Sequence, residues 1–192
     1  MFNLKNVDMS GEWARIILFN GEGARFVQTG VHEILYSGGF MGTQYNPKIA
    51  AFEVEHHRFV YNKLMACKKV PIGTASPEKH LGRMGHLAVW DNQAGYLILF
   101  GGQKSSDQFE SNTNQRLLLN DLIIFDVERM ELVDQMVFSD ATVGRRVYHC
   151  GFKIDDSIFS IGGQGPNGKI YDEFIEIDVP SRKNDMALCD YS

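Results

Sequence analysis

Several protein classes are excluded by what this sequence has little of. It carries three cysteines in 192 residues, and Cys67, Cys150 and Cys189 stand far apart with no CxxC or cysteine-to-histidine spacing. An exported disulfide framework and a zinc site both lack their ligands, so a reducing compartment is expected. Cys150, in the apolar run from Val147 to Phe152, reads as a buried small hydrophobe. No apolar run approaches the roughly 18 residues of a membrane span. The N-terminal MFNLKNVDMS has neither the basic flank nor the apolar core of an export signal. The expectation is a cytoplasmic protein, cytoskeleton-associated sites included, with no membrane insertion. Positive charge is short as well: 19 basic against 24 acidic residues give a net charge of −5, so no global field exists to hold nucleic acid. With 44% hydrophobic and 22% charged residues, disorder and collagen are excluded. Long helical periodicity is missing too.

What is present is a repeat. Short β-rich runs end in paired glycines at Gly38-Gly39, Gly101-Gly102 and Gly162-Gly163; Gly38 to Gly101 spans 63 residues and Gly101 to Gly162 spans 61. Downstream of each pair comes a second β run closed by an acidic residue, at Glu53, Asp126 and Asp178. Upstream lie Gly82-Arg83-Met84-Gly85-His86 in one unit and Gly144-Arg145-Arg146-Val147-Tyr148-His149 in the next, each leading into another β run; the first unit has only Ala24-Arg25-Phe26-Val27-Gln28. After the acidic residue an apolar one follows, Phe59 after Glu53 and Leu132 after Asp126. Each unit thus encodes four strands.

A four-stranded meander cannot bury both its faces alone. A repeat of such meanders solves this by stacking twisted sheets radially. The paired glycines then end the strand nearest the axis, where a positive φ or a close backbone approach excludes a β-carbon.

Taken together, the double glycine, the N-D-L-x-x-F-D stretch from Asn120 to Asp126 and the G-R-x-x-H element from Gly82 to His86 resemble the kelch repeat. The resemblance runs along the whole chain and implies an all-β fold of kelch-type β-propeller blades. It also implies an incomplete ring, an open arc of about three to three and a half blades or part of a larger propeller. Phe2 to Asp8 lines up with Asn120 to Asp126, so residues 1–18 would supply late strands of a preceding blade. Residues 19–61 and 62–138 would form two blades, the second with a long insertion at 103–116. A further blade would occupy 139–192, with Met186-Ala187-Leu188 as candidate fourth strand. The family's aromatic after the acidic residue is only Leu132 in one unit, where looser packing is expected. An open arc exposes edges and sheet faces, so the expected partners are proteins, including a chain or segment that completes the propeller.

Meander geometry assigns the loops to two ends. Connections within the first and last strand pairs are short, whereas Phe40 to Lys48, Gln103 to Arg116, Gln164 to Ile170 and the linker Asn62 to Lys79 are long. The end with the long connections is the expected recognition face. The insertion Gln103 to Arg116 is polar with one central aromatic, Phe109; it reads as a solvated loop, and Phe109 fits an interface anchor.

Arginines recur at Arg25, Arg83 and Arg145 or Arg146. They either position blades by pairing with carbonyls or carboxylates, or form a basic ring that reads acidic peptide groups, as arginines do in some kelch domains. The candidate partner-binding residues are accordingly Arg25, Arg83, Arg116 and Arg145 among the basic ones. Tyr45, Gln103, Phe109 and Gln164 complete the set. His86 and His149 hold equivalent repeat positions, and a hydrogen bond between blades is expected of each. With the six paired glycines they make up the structural repeat.

Enzymatic signatures are not assembled. Gly163 to Gly168 reads G-x-G-x-x-G but runs into another strand rather than a helix, so it is expected to be a turn. His56-His57 alternates sides of a strand connection and is a poor chelate. No catalytic residue, cofactor or metal is expected. The expected function is a noncatalytic kelch-repeat scaffold or adaptor within a larger assembly. One alternative is substrate recognition for a ubiquitin ligase, which needs a ligase-docking segment that the sequence does not carry. The other is a galactose-oxidase-like or sugar-processing enzyme, whose tyrosine, histidine and cysteine ligand set is not recognisable.

Overall fold

The structure, a computed structural model, describes residues 22–31, 33–40, 42, 45–46, 49–55, 58–65, 80–105 and 116–179, with two further strands at 3–7 and 13–17. The fold is all-β and antiparallel. β1 (Asn3–Val7) and β2 (Trp13–Ile17) pair with each other. β3 (Arg25–Gln28), β4 (Glu33–Ser37), β5 (Ile49–Glu55) and β6 (Arg58–Met65) form the first four-stranded meander. The second contains β7 (Leu87–Asp91), β8 (Tyr96–Phe100), β11 (Asp121–Asp126) and β12 (Glu131–Val137). Between β8 and β11 the chain leaves the sheet as a separate ribbon of β9 (Gln103–Ser105) and β10 (Arg116–Leu118). The third sheet is β13 (Cys150–Ile154), β14 (Ser157–Ile161) and β15 (Phe174–Asp178).

Two expectations change in detail. β6 continues to Met65, past the boundary drawn at 61 and into the segment read as a linker. The ends of the 103–116 insertion are paired strands rather than loop. Phe109 and Met186 to Leu188 lie outside the described residues.

Burial explains the sequence pattern of each sheet. The second sheet is covered on both faces. One side packs on the first sheet through Leu35, Ile49, Leu97, Leu99, Ile123 and Phe125. The other packs on the third through Val89, Ile98, Phe100, Leu122, Ile158 and Ile177. Its central strands therefore read as continuous runs, Leu97 to Phe100 and Leu122 to Phe125, all buried, because no position faces water. β14 sits at the edge of this stack and alternates: Ile158 and Ser160 are buried while Ile161 is exposed.

The hairpin turns are locally encoded. Asp91 Oδ1 accepts from the Gln93 and Ala94 amides at 2.9 and 3.1 Å, and Asp126 Oδ1 accepts from the Arg129 amide at 2.8 Å. An acidic residue at a strand end thus supplies the first acceptor of the turn that follows.

Candidate binding site

Adjacent sheets are joined by a belt of backbone hydrogen bonds. The Gly85 amide donates to the Gly23 carbonyl at 2.7 Å, and the Tyr148 amide donates to the Gly85 carbonyl at 2.7 Å. Gly23, Gly85 and Tyr148 are therefore equivalent, and all three are left-handed, with φ of 68°, 63° and 60°. Beside the belt, the Gly39 amide donates to the Arg83 carbonyl and the Gly102 amide to the Arg146 carbonyl, at 2.7 and 2.8 Å. Gly38, Gly101 and Gly162 directly follow β4, β8 and β14, and each is followed by Gly39, Gly102 or Gly163, also at positive φ. At Gly101 a β-carbon would stand 2.8 Å from His149 Cε1 and 3.0 Å from the Arg146 carbonyl oxygen, so both the angle and the space require glycine.

This register corrects the arginine repeat. Arg83 and Arg146 precede their belt residues by two positions, whereas Arg25 follows Gly23 by two. Arg83 is 1% exposed. Its guanidinium meets Asp121 in two parallel bonds of 2.9 and 3.0 Å, reaches the Gly101 carbonyl at 2.9 Å, and its Nε donates to the His80 carbonyl at 2.7 Å. A group so engaged has nothing to offer a partner, so the expectation of Arg83 on a recognition face is overturned by burial. Arg146 repeats the arrangement, pairing with Glu173 at 2.5 Å and lying 4.3 Å from the Tyr171 ring centroid. Arg25 is half-buried and donates through Nε to the His86 carbonyl at 2.6 Å, tying the first two sheets together.

His86 and His149 each reach back to the preceding sheet. His86 Nε2 lies 3.1 Å from Ser37 Oγ, and His149 Nε2 lies 3.1 Å from the Phe100 carbonyl. A carbonyl can only accept, so His149 carries its proton on Nε2. The Nδ1 atoms of both rings are buried without a hydrogen-bond partner. A second proton would create an unpaired buried cation. Burial, assisted by Arg146 and Arg25, lowers the His149 pKa to about 3; burial, then Arg83, Arg25 and His149, holds His86 well below the usual range. Burial alone would raise the Asp121 carboxyl, but the Arg83 charge and the hydrogen bonds of Arg83 and Gln135 outweigh it, and the net shift is downward.

On the end of the sheets that carries the long connections, a cleft of about 470 Å3 opens between the β9–β10 ribbon, the segment 145–148 and the turn 164–167. Gln103, Arg145 and Gln164 line it, so three of the expected partner-binding residues converge. Leu117, Val147 and Tyr148 supply its apolar and aromatic wall. Arg145 is half-exposed, with Nε bound to Asp140 at 2.9 Å. Tyr45 packs on Phe40 with ring centroids 5.1 Å apart and stands behind Gln103. Arg116 belongs to β10. Residues 166–168 of the G-x-G-x-x-G stretch form a single 3-10 turn rather than an α-helix. Tyr148 is the site residue that sequence reasoning missed. Its signal was there: aligned by the histidine, it stands where the neighbouring unit has Gly85.

A second exposed feature is the outer face of the third sheet. Phe152, Phe159 and Phe174 stack at centroid distances of 5.4 to 6.3 Å. Phe152 and Phe174 are about half-exposed, together with Ile154 and Ile161. Cys150 is exposed on this face, not buried as expected, because no described sheet lies over it. Among the described residues no group of three His, Cys, Asp or Glu could hold a metal, and no helix is long and apolar enough to cross a membrane.

No protein-family model matches the chain. No curated protein matches it. Among solved structures it is similar to the one described as "Structure of YjhT", with 18% identity and a TM-score of 0.60 over 91% of this chain and 48% of that chain. The likeness is one of fold. It supports a propeller-like arrangement of the stacked sheets, and the chain spans about half the length of the structure it matches.

Proposed function

We propose that this chain is a noncatalytic, kelch-type β-propeller segment that binds other proteins, both to complete its stack of sheets and to recognise a partner at the end bearing the cleft. The kelch reading is supported by the register of the double glycines, the buried arginines Arg83 and Arg146 that each pair with a carboxylate, and the histidines that bridge sheets. Cytoplasmic residence accords with the scarcity of cysteine.

One observation carries the proposal. By strand register, Phe152, Phe159 and Phe174 occupy the positions of Val89, Ile98 and Leu122. In the second sheet these are buried beneath the third, whereas in the third they look outward. A contiguous aromatic face of this kind is characteristic of a protein contact. At the other site, Arg145 offers a charge for acidic groups of a partner.

Site-specific photo-crosslinking in cells tests the reading. A photoreactive residue at Phe174 or Gln164 is expected to give discrete adducts with polypeptide, whereas one at Asn92, in the exposed β7–β8 turn at the opposite end, is expected to give none. No adduct at Phe174, or equal labelling at Asn92, would overturn it.

A further inference from the structure

We propose that the surface covering the third sheet is a protein face with a lysine or arginine at its centre, and that Glu176 holds that cation; this rests on reading the outer face of the sheet as a protein contact. The starting observation is a charge where the fold elsewhere takes an apolar side chain. Directly opposed residues of antiparallel strands share a face, and Phe152, Phe159 and Glu176 lie opposite one another across β13, β14 and β15. They form the middle row of the outer face. Cys150, Ile161 and Phe174 form the row on one side of it, and Ile154, Ser157 and Asp178 the row on the other.

By the same register the middle row of the second sheet is Val89, Ile98 and Ile124, and that of the first is Val27, Leu35 and Ala51. Ile124 and Ala51 are 4% and 3% exposed, each packed with the sheet that follows. Glu176 stands in their place and is exposed. A cover seated on the third sheet as the third is seated on the second would therefore take this carboxylate out of water.

A carboxylate buried against apolar surface is tolerated only when it is paired and hydrogen-bonded. Asp178 accepts from Ser157 Oγ at 3.1 Å, whereas the Glu176 side chain makes no hydrogen bond or ion pair among the described residues. The cation must then come from the cover. The chain itself shows the arrangement one row away. Asp91, in the corresponding outer row of the second sheet, meets Lys153 of the covering third sheet at 3.3 Å, with both side chains largely buried. A charge set among aromatics also selects its cover, because a purely apolar face would leave it desolvated and unpaired.

The experiment places a photoreactive residue at Phe174 in cells, in the otherwise wild-type chain and in Glu176→Lys, Glu176→Gln and Glu128→Lys backgrounds, and sequences the joined peptide by mass spectrometry. Adduct yield is expected to fall at least about tenfold in Glu176→Lys, the scale of opposing a desolvated interfacial charge, and by less in Glu176→Gln. Glu128→Lys, a charge reversal in the exposed β11–β12 turn, should leave it unchanged. The joined peptide should carry a lysine or arginine beside the joined residue, and replacing that residue by glutamate should restore the yield in Glu176→Lys. Undiminished yield in Glu176→Lys would overturn the proposal. So would a joined peptide without a basic residue at that place, one from a second copy of this chain included. A melting temperature lowered in both Glu176 variants would make the residue structural and overturn it as well. Absence of adducts even in the wild-type background would instead remove the broader reading, and this proposal with it.

Discussion

Replacing Asp121 by alanine is expected to cost about 3 to 5 kcal/mol of folding stability, read as a fall in the urea midpoint. The scale is that of breaking a buried ion pair from one side. Arg83 and Asp121 are both buried, and the guanidinium has no route to water once its partner is gone. The carboxylate also accepts from Gln135 Nε2 at 2.9 Å, so the variant removes three side-chain hydrogen bonds, two of them from the buried guanidinium. Joint replacement, Arg83→Met with Asp121→Leu, is expected to recover part of the loss, since it removes the uncompensated charge. It would not recover all, because Arg83 also donates to the carbonyls of His80 and Gly101. A single-variant loss below about 1 kcal/mol would mean that water reaches the site and that the pair is in effect a surface bridge.

Acid should weaken the fold at a higher pH than carboxylate titration explains. His149, with its pKa lowered to about 3, and His86, lowered well below its ordinary value, stay neutral when folded but take up protons near pH 6.5 when unfolded. The unfolded state then binds more protons, so stability is complete above about pH 6.5 and declines as pH falls below it. Each histidine contributes a slope of about 1.4 kcal/mol per pH unit, together roughly 2 to 3. Asp121, lowered in turn, adds its loss only below the ordinary carboxylate range near pH 4. A melting temperature that falls between pH 6.5 and 5 and levels off in a His86→Asn, His149→Asn double variant is the expected result. An unchanged melting temperature over that interval in wild type would show that the rings take up protons in place.

The parts of this fold legible in the sequence are those that local chemistry enforces. The double glycines stand out because left-handed angles and a crowded junction leave no room for a β-carbon at Gly101. Strand ends were readable at Asp126, whose carboxylate opens the following turn. Register between units was less legible. Arg25 resembles Arg83 in sequence, and only the belt hydrogen bonds reveal that the two flank it on opposite sides. Whether Cys150 is buried depends on what covers the third sheet, which no local pattern encodes. At the cleft, Gln103 and Gln164 could be placed at one end from connection lengths and Arg145 from the arginine recurrence, whereas Tyr148 shows only when the units are aligned on the histidine, where it stands in place of Gly85.

The open third sheet is the central claim, and light scattering of the 192-residue chain expressed alone tests it most directly. Each large apolar side chain left wet forgoes about 1.5 to 3 kcal/mol of burial. The Phe152, Phe159 and Phe174 face should therefore drive self-association, giving species larger than one chain. Phe159→Ser with Phe174→Ser should shift the population toward monomer. A wild-type chain that is a stable, monodisperse monomer with cooperative melting would contradict the claim, and would show that the stack of sheets needs no further polypeptide.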